Sequence, residues 1–338
     1  MTGSDDVLLK VADLNVSFPS EDGVVEAVRG VSYTVRRNQV LGIVGESGSG
    51  KSVSSMALMG LLPSTARITG SATYLGQPLI GVPDRKVRKF RGDRIAMIFQ
   101  DPMTSLNPVY TIGKQLGEIV RAHYRVAPKE ARRQAIDALE MVGIPEPAQR
   151  VDNYPHEFSG GMRQRVMIAM AMMNKPDVVI ADEPTTALDV TVQAQVLETL
   201  LSVKEELQAA IVLITHDLGV IAGTADDVAV MYAGRIVEKG SVDHIFERPQ
   251  MPYTRGLLGA IPSADGAVDE LTPIRGTPPS MLNPPPGCPF LPRCDFAGVD
   301  CQSTEPSLAE RSGAEQLAAC HNTDLPEWQP ATLSGSRS

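Results

Sequence analysis

The most specific chemistry in the chain lies in eight consecutive residues, Gly45-Glu-Ser-Gly-Ser-Gly-Lys51-Ser52, which have the spacing G-x-x-x-x-G-K-S. Glycines at this spacing let backbone N–H groups from about Ser47 through Gly48, Ser49, Gly50 and Lys51 to Ser52 point into one concavity, and a following helix adds the positive potential of its N-terminus. Such a cradle holds phosphates. Lys51 reaches the β- and γ-phosphates of a nucleoside triphosphate, Ser52 offers its hydroxyl to Mg²⁺, and Val53 continues the nucleotide-binding stretch. Magnesium also needs a carboxylate, and Val178-Val-Ile-Ala-Asp182 supplies one at the end of an apolar run. Glu183 follows directly and is set to polarise a water for in-line attack. A glycine turn without function and a solvated strand end are the plainer readings of these two segments, and finding both in one chain weighs against them.

The surrounding sequence provides the elements this chemistry needs. Val40-Leu-Gly-Ile-Val44 is a short, uniformly apolar run of the kind found in strands buried on both faces, and Ser52 to Leu62 reads as a helix stopped by Pro63. Upstream, Leu14–Phe18 and Val31–Val35 read as strands around a turn at Ser20–Gly23. From about Val87 to Pro176 helical patterns take over, as in Ala131, Ala135, Ile136 and Leu139 after Pro128, which predicts a helical insert. Strands return at Val178–Ala181 and Ile211–Ile214 with a helix from Val192 to Leu207 between them, and a hairpin is expected around Ala233-Gly234. After Pro249 proline becomes frequent, which marks a linker or a small irregular module.

The bulk numbers narrow the classes. In 338 residues, 43% are hydrophobic and 21% charged, an ordinary globular composition, and the net charge of −9 argues against a nucleic-acid partner. No apolar run approaches the roughly 18 residues of a spanning helix, and Met1 to Asp6 carries no leader-like pattern, so a cytoplasmic, soluble chain is expected.

Two phosphate-site motifs alone leave kinases, helicases and GTPases open. Phe158-Ser-Gly-Gly-Met-Arg-Gln-Arg165 stands before the acidic strand and opens a helix from Met162 to Asn174, Gln100 follows an apolar run, Ala187-Leu-Asp189 follows the glutamate, and His216 follows a strand. In this order the chain resembles the nucleotide-binding subunit of ABC transporters. The resemblance implies an α/β P-loop NTPase (RecA-like) fold with an antiparallel β subdomain and a helical subdomain. It implies ATP with Mg²⁺ held by Ser52, Gln100 and Asp182, Glu183 and His216 as catalytic residues, and Asp189 in cross-subunit contacts. The signature Ser159, Gly160 and Gly161, with Gln164, would face the nucleotide of a second subunit, at a helix N-terminus that favours an anion. Phe18 matches the aromatic that stacks on adenine, with ordinary core packing as its alternative. The methionines Met162, Met167, Met170, Met172 and Met173 read as core fillers.

Phe99-Gln-Asp-Pro-Met-Thr-Ser-Leu-Asn-Pro108 and Pro252-Tyr-Thr-Arg-Gly-Leu-Leu, with the signature variant, are similar to the dipeptide and oligopeptide permease ATPases. That likeness implies a peptide importer on the cytoplasmic face of the membrane. Its other parts would be two membrane permease subunits, a second ATPase subunit that is often a paralogue, and an extracytoplasmic peptide-binding protein. Ser105 to Pro108 would receive the permease. Another solute of the same permease group, such as nickel or a glycopeptide, and a soluble ABC ATPase are the alternatives. The division implied is 1–248 for the nucleotide-binding domain, with the helical part at about 87–176, and 249–338 for a C-terminal extension.

All four cysteines, Cys288, Cys294, Cys301 and Cys320, fall in that extension with five, six and eighteen residues between them. Four thiolates can hold Zn²⁺ or an iron–sulfur cluster; zinc knuckles favour closer pairs, so the spacing leans towards a cluster, with unligated thiols or disulfides also open. Cys288-Pro-Phe-Leu-Pro-Arg-Cys294 resembles the extension of peptide-permease ATPases, where the likeness implies a [4Fe–4S] cluster.

Overall fold

A computed structural model of the chain describes residues 6–186, 188–261, 273–311 and 316–328. Ala187 of the Ala187-Leu-Asp189 motif lies outside them. In chain order the elements are β1 (Val7–Ser20), β2 (Gly23–Arg36), β3 (Val40–Val44), α1 (Lys51–Leu58), β4 (Arg67–Tyr74), β5 (Gln77–Pro78), α2 (Asp84–Val87) and β6 (Ile95–Ile98). There follow α3 (Pro102–Ser105), α4 (Ile112–His123), α5 (Pro128–Met141), α6 (Pro147–Arg150), α7 (Gly160–Met172), β7 (Val178–Asp182), α8 (Val190–Leu207) and β8 (Ala210–Thr215). The remainder comprises α9 (Leu218–Thr224), β9 (Asp227–Tyr232), β10 (Arg235–Ser241), α10 (Val242–Glu247), α11 (Pro252–Gly259), β11 (Ala309–Arg311) and β12 (Gln316–Ala318).

The chain divides into two compact units. The first holds residues 6–9, Thr34–Gln39 and Tyr74–Ile214. Its strands β6, β7 and β8 pair in parallel, with Ile95 opposite Val178 and Val178 opposite Ala210. Every residue of β7 and β8 is buried, which is why both read as unbroken apolar runs with no polar side. Around them stand α4, α5, α7 and α8. α5 starts at Pro128, whose ring fits the first turn of a helix, and buries Ala131, Ala135 and Leu139 at four-residue spacing. α7 buries Val166, Met167, Ile168, Ala169 and Met172, so two of the five methionines fill core volume; Met162, Met170 and Met173 are half-buried. The stretch read as a helical insert is not wholly helical, because β6 lies inside it as a strand of the parallel sheet.

The second unit holds Lys10–Tyr33, Val40–Thr73 and the chain from Thr215 onward. β3, buried throughout, pairs in parallel with β9, and β9 turns back into β10 as an antiparallel hairpin. Ala233 and Gly234 at its tip have φ of 48° and 77°, the positive values that a two-residue hairpin turn matched to strand twist requires. β1, β2 and β4 share a sheet with β1 between the other two. The region read as a linker or a small irregular module contains regular elements. α11 forms an eight-residue helix there, β12 pairs with β10, and β11 pairs with β12. The expected boundary at residue 248 falls inside this second unit. No described helix is long and apolar enough to cross a membrane.

Candidate active site

In the second unit, β3 delivers the chain into the phosphate loop. Gly45 (φ 152°) and Gly50 (φ 97°) take backbone conformations closed to other residues, and a Cβ at either would run into main chain, the Met231 carbonyl oxygen at Gly45 and that of Ala27 at Gly50. Gly50 is the N-cap of α1, so the helix begins at Lys51 with its N-terminus at the loop. Lys51 is 5% exposed, and its Nζ donates to the carbonyls of Gly45 (2.7 Å) and Glu46 (3.0 Å). Ser49 is buried with its hydroxyl unpartnered by any described protein group, while Ser47 and Gly48 are exposed and Ser52 and Val53 half-buried. A helix N-terminus, a buried ammonium and an orphan hydroxyl suit a polyphosphate anion. Phe18 sits half-buried near the end of β1, and His216 is exposed just after β8, before Asp217, whose carboxylate caps α9 through the Gly219 N–H (2.8 Å).

A connection invisible in local sequence meets the same loop. Arg293, 8% exposed, places a two-pronged guanidinium on the Glu46 carboxylate at 2.6 and 2.8 Å. It also donates to the Arg275 carbonyl (2.8 Å) and the Tyr232 hydroxyl (3.3 Å), and the Glu46 N–H donates to the Tyr253 hydroxyl at 2.8 Å. Tyr232, Tyr253 and Phe290 pack as an aromatic triad with ring centroids 4.5 to 5.4 Å apart.

The first unit carries the acids. Asp182 ends β7 at 6% exposure. Glu183 follows with φ 47°, a left-handed conformation costing about 1–3 kcal/mol for a residue with a side chain, and strain of this kind gathers at active sites. Its N–H is held by the Ile214 carbonyl (2.8 Å), and one carboxylate oxygen accepts from Gln100 Nε2 (2.9 Å) and Thr186 Oγ1 (2.8 Å). The structure thus joins Gln100 to Glu183. Thr186 was not foreseen; a hydroxyl three residues beyond the glutamate was its only signal.

The signature segment forms a helix start. Ser159 is the N-cap of α7, accepting from the Met162 N–H at 3.3 Å, and Asp189 caps α8 through the Val192 N–H at 3.0 Å. The two N-termini lie against each other: a Cβ on Gly161 would come within 2.5 Å of Val192 Cγ1, so this glycine is required by helix packing. Ser159 and Gly160 are exposed, as is Asp189. Gln164, expected to share their outward face, is instead 2% exposed and turned inward. Nearby, Val109 (70% exposed) and Tyr110 are uncovered apolar side chains on a loop held by Gln115, which hydrogen-bonds Asn107 N–H, Asn107 C=O and Tyr110 C=O at 2.8 to 3.0 Å.

In the cysteine region, Cys288 and Cys301 are buried, Cys294 and Cys320 partly so, and none forms a disulfide. Burial pushes the Cys288 thiol up to about 11, with the other three thiols adding to the effect; Cys294 is also raised, first by burial and then by Cys320 and Cys301. Among the described residues, however, no group of three or more His, Cys, Asp or Glu is drawn together tightly enough to hold a metal ion as it stands.

Known proteins resemble this chain along most of its length. A family model described as ABC transporter matches residues 28–186, and one described as the C-terminal region of oligopeptide/dipeptide transporters matches residues 237–301. The dipeptide transport ATP-binding protein DppD of Bacillus subtilis is 51% identical over 312 residues, covering 92% of this chain and 93% of that protein. The oligopeptide transport ATP-binding protein OppD of Salmonella typhimurium is 51% identical, covering 93% of each. Among solved structures, the ATP-binding cassette MJ0796, a dimer bound to ADP and phosphate, aligns with a TM-score of 0.62 at 25% identity over 70% of this chain and 99% of that one. This chain belongs to the ABC transporter family, as an ATP-hydrolysing subunit with the α/β cassette fold.

Proposed function

We propose that this chain is the motor of a peptide importer, coupling ATP binding and hydrolysis to uptake of di- and oligopeptides from the cytoplasmic face of the membrane. The observation that carries this is the pairing of a cassette with the oligopeptide/dipeptide C-terminal region, in a chain similar along nearly its whole length to two peptide-transport ATP-binding proteins. On this reading two permease subunits, a second ATPase subunit and an extracytoplasmic peptide-binding protein complete the system. The extension begins after residue 248. The exposed Val109 and Tyr110, beside the 105–108 segment, suit a surface that receives a permease helix.

The roles follow from the motifs. Residues 45–53 hold the triphosphate, with Phe18 on the adenine; Ser52, Gln100 and Asp182 hold Mg²⁺; Glu183 polarises the water, and His216 meets the γ-phosphate. Ser159, Gly160 and Gly161 close over the nucleotide of the second subunit, with Asp189 at the same contact. The four cysteines would hold a [4Fe–4S] cluster, or Zn²⁺ in its place, on drawing closer together than they stand. Burial raises the Cys288 and Cys294 thiols, and a bound cation would relieve that penalty. The direct test is ATPase activity of the complex with its permease subunits and binding protein in lipid, against a peptide panel. Stimulation by peptides supports the assignment; stimulation by nickel chelates or glycopeptides, with none by peptides, rejects it.

A further inference from the structure

The Cys288–Cys294 loop and the phosphate loop are 247 residues apart at Arg293 and Glu46, yet they share an ion pair in which the arginine is buried and the glutamate partly so. Glu46 is the first variable residue of the phosphate loop, and it is held at two points by the region after residue 231. Its carboxylate takes both prongs of Arg293, and its N–H is bound by Tyr253. Its carbonyl in turn accepts from Lys51. Arg293 is itself immobilised, its side chain 3% exposed, with donors on Glu46, Tyr232 and Arg275. A fork of this kind fixes orientation as well as charge.

Two consequences follow for an anion site. An unpaired carboxylate at the loop would oppose incoming phosphates, and a loop free to turn at residue 46 would lose the alignment of the N–H groups and of Lys51. We propose that Arg293 is a positioning residue for ATP binding: it neutralises and pins Glu46, so the cysteine loop that carries it sets how the phosphate loop presents itself to nucleotide. This rests on the ATP reading of the loop. The Lys51→Ala variant serves as its separate control, because it should abolish binding whether or not Arg293 matters.

The test uses the full purified chain, with MgATP affinity read by displacement of a fluorescent ATP analogue, thermal melting in parallel, and ATP turnover in the assembled complex. Arg293→Met should weaken MgATP about tenfold, and Arg293→Lys, which keeps the charge but not the fork, about threefold. KM for ATP should rise while kcat stays within about twofold. An unchanged Kd in Arg293→Met, with or without a lower melting temperature, would show that the arginine merely anchors its own loop and would overturn the proposal. So would a fall in kcat at constant KM. Should Arg293→Met fail to fold, Arg293→Lys decides by the same criterion.

Discussion

Glu238 offers the sharpest quantitative prediction. It lies on β10, is 0% exposed, and accepts hydrogen bonds from the Gln250 N–H (2.6 Å), the Met251 N–H (3.2 Å) and Gln316 Nε2 (2.8 Å). Burial raises its carboxyl from the ordinary 4.5 to about 7, against these donors, which pull it down. An acid with a raised folded-state value binds its proton more tightly in the folded chain. Its stabilising contribution is therefore complete below about pH 4.5 and is lost as pH climbs through about 7. At about 1.4 kcal/mol per pH unit the displacement is worth about 3 kcal/mol. The assay is urea unfolding of the wild type and of Glu238→Gln, whose amide does not titrate, at intervals from pH 4.5 to 8. The stability of the wild type relative to the variant should fall by about 3 kcal/mol across that range. A difference that stays flat with pH would refute the reasoning and show that the three donors hold the carboxylate ionised throughout.

Other outcomes are expected at the nucleotide site. Glu183→Gln should bind MgATP as tightly as the wild type while turnover of the assembled complex falls by about 100-fold or more; normal turnover would remove the glutamate from its proposed role. Ser159→Ala removes the N-cap of α7 and should cost about 1 kcal/mol in unfolding measurements, with ATP turnover of the complex falling about tenfold. Protein purified without oxygen should be brown, with about four irons and four sulfides per chain, whereas colourless protein carrying zinc would reject the cluster.

The site was legible in the sequence wherever its parts are local. The phosphate loop, the acids after β7 and the serine-glycine-glycine start of α7 are each written in a few consecutive residues, because each is a single turn between one strand and one helix. β6 was missed, since Ile95-Ala-Met-Ile98 is too short for periodicity to separate a strand from a buried helical turn. β12 is three residues long and exists through its pairing with β10, where Glu238 faces Ala318. Nothing in the sequence around Arg293 points to Glu46, 247 residues away, and only the fold joins them. Gln164 sits in a motif whose neighbours face outward, and only the rotation of α7 turns it inward.

The close approach of main chain to Gly45 and Gly50 bears on how mutant strains are interpreted. Alanine at either position collides with the Met231 or Ala27 carbonyl before any phosphate arrives. A genetic screen for lost uptake will therefore collect these alleles beside changes at Lys51, and the two groups will share a phenotype while differing in cause. The lysine alleles should leave normal amounts of protein in the cell, and the glycine alleles reduced amounts, so a blot for steady-state level separates a lost ligand contact from a loop that never formed.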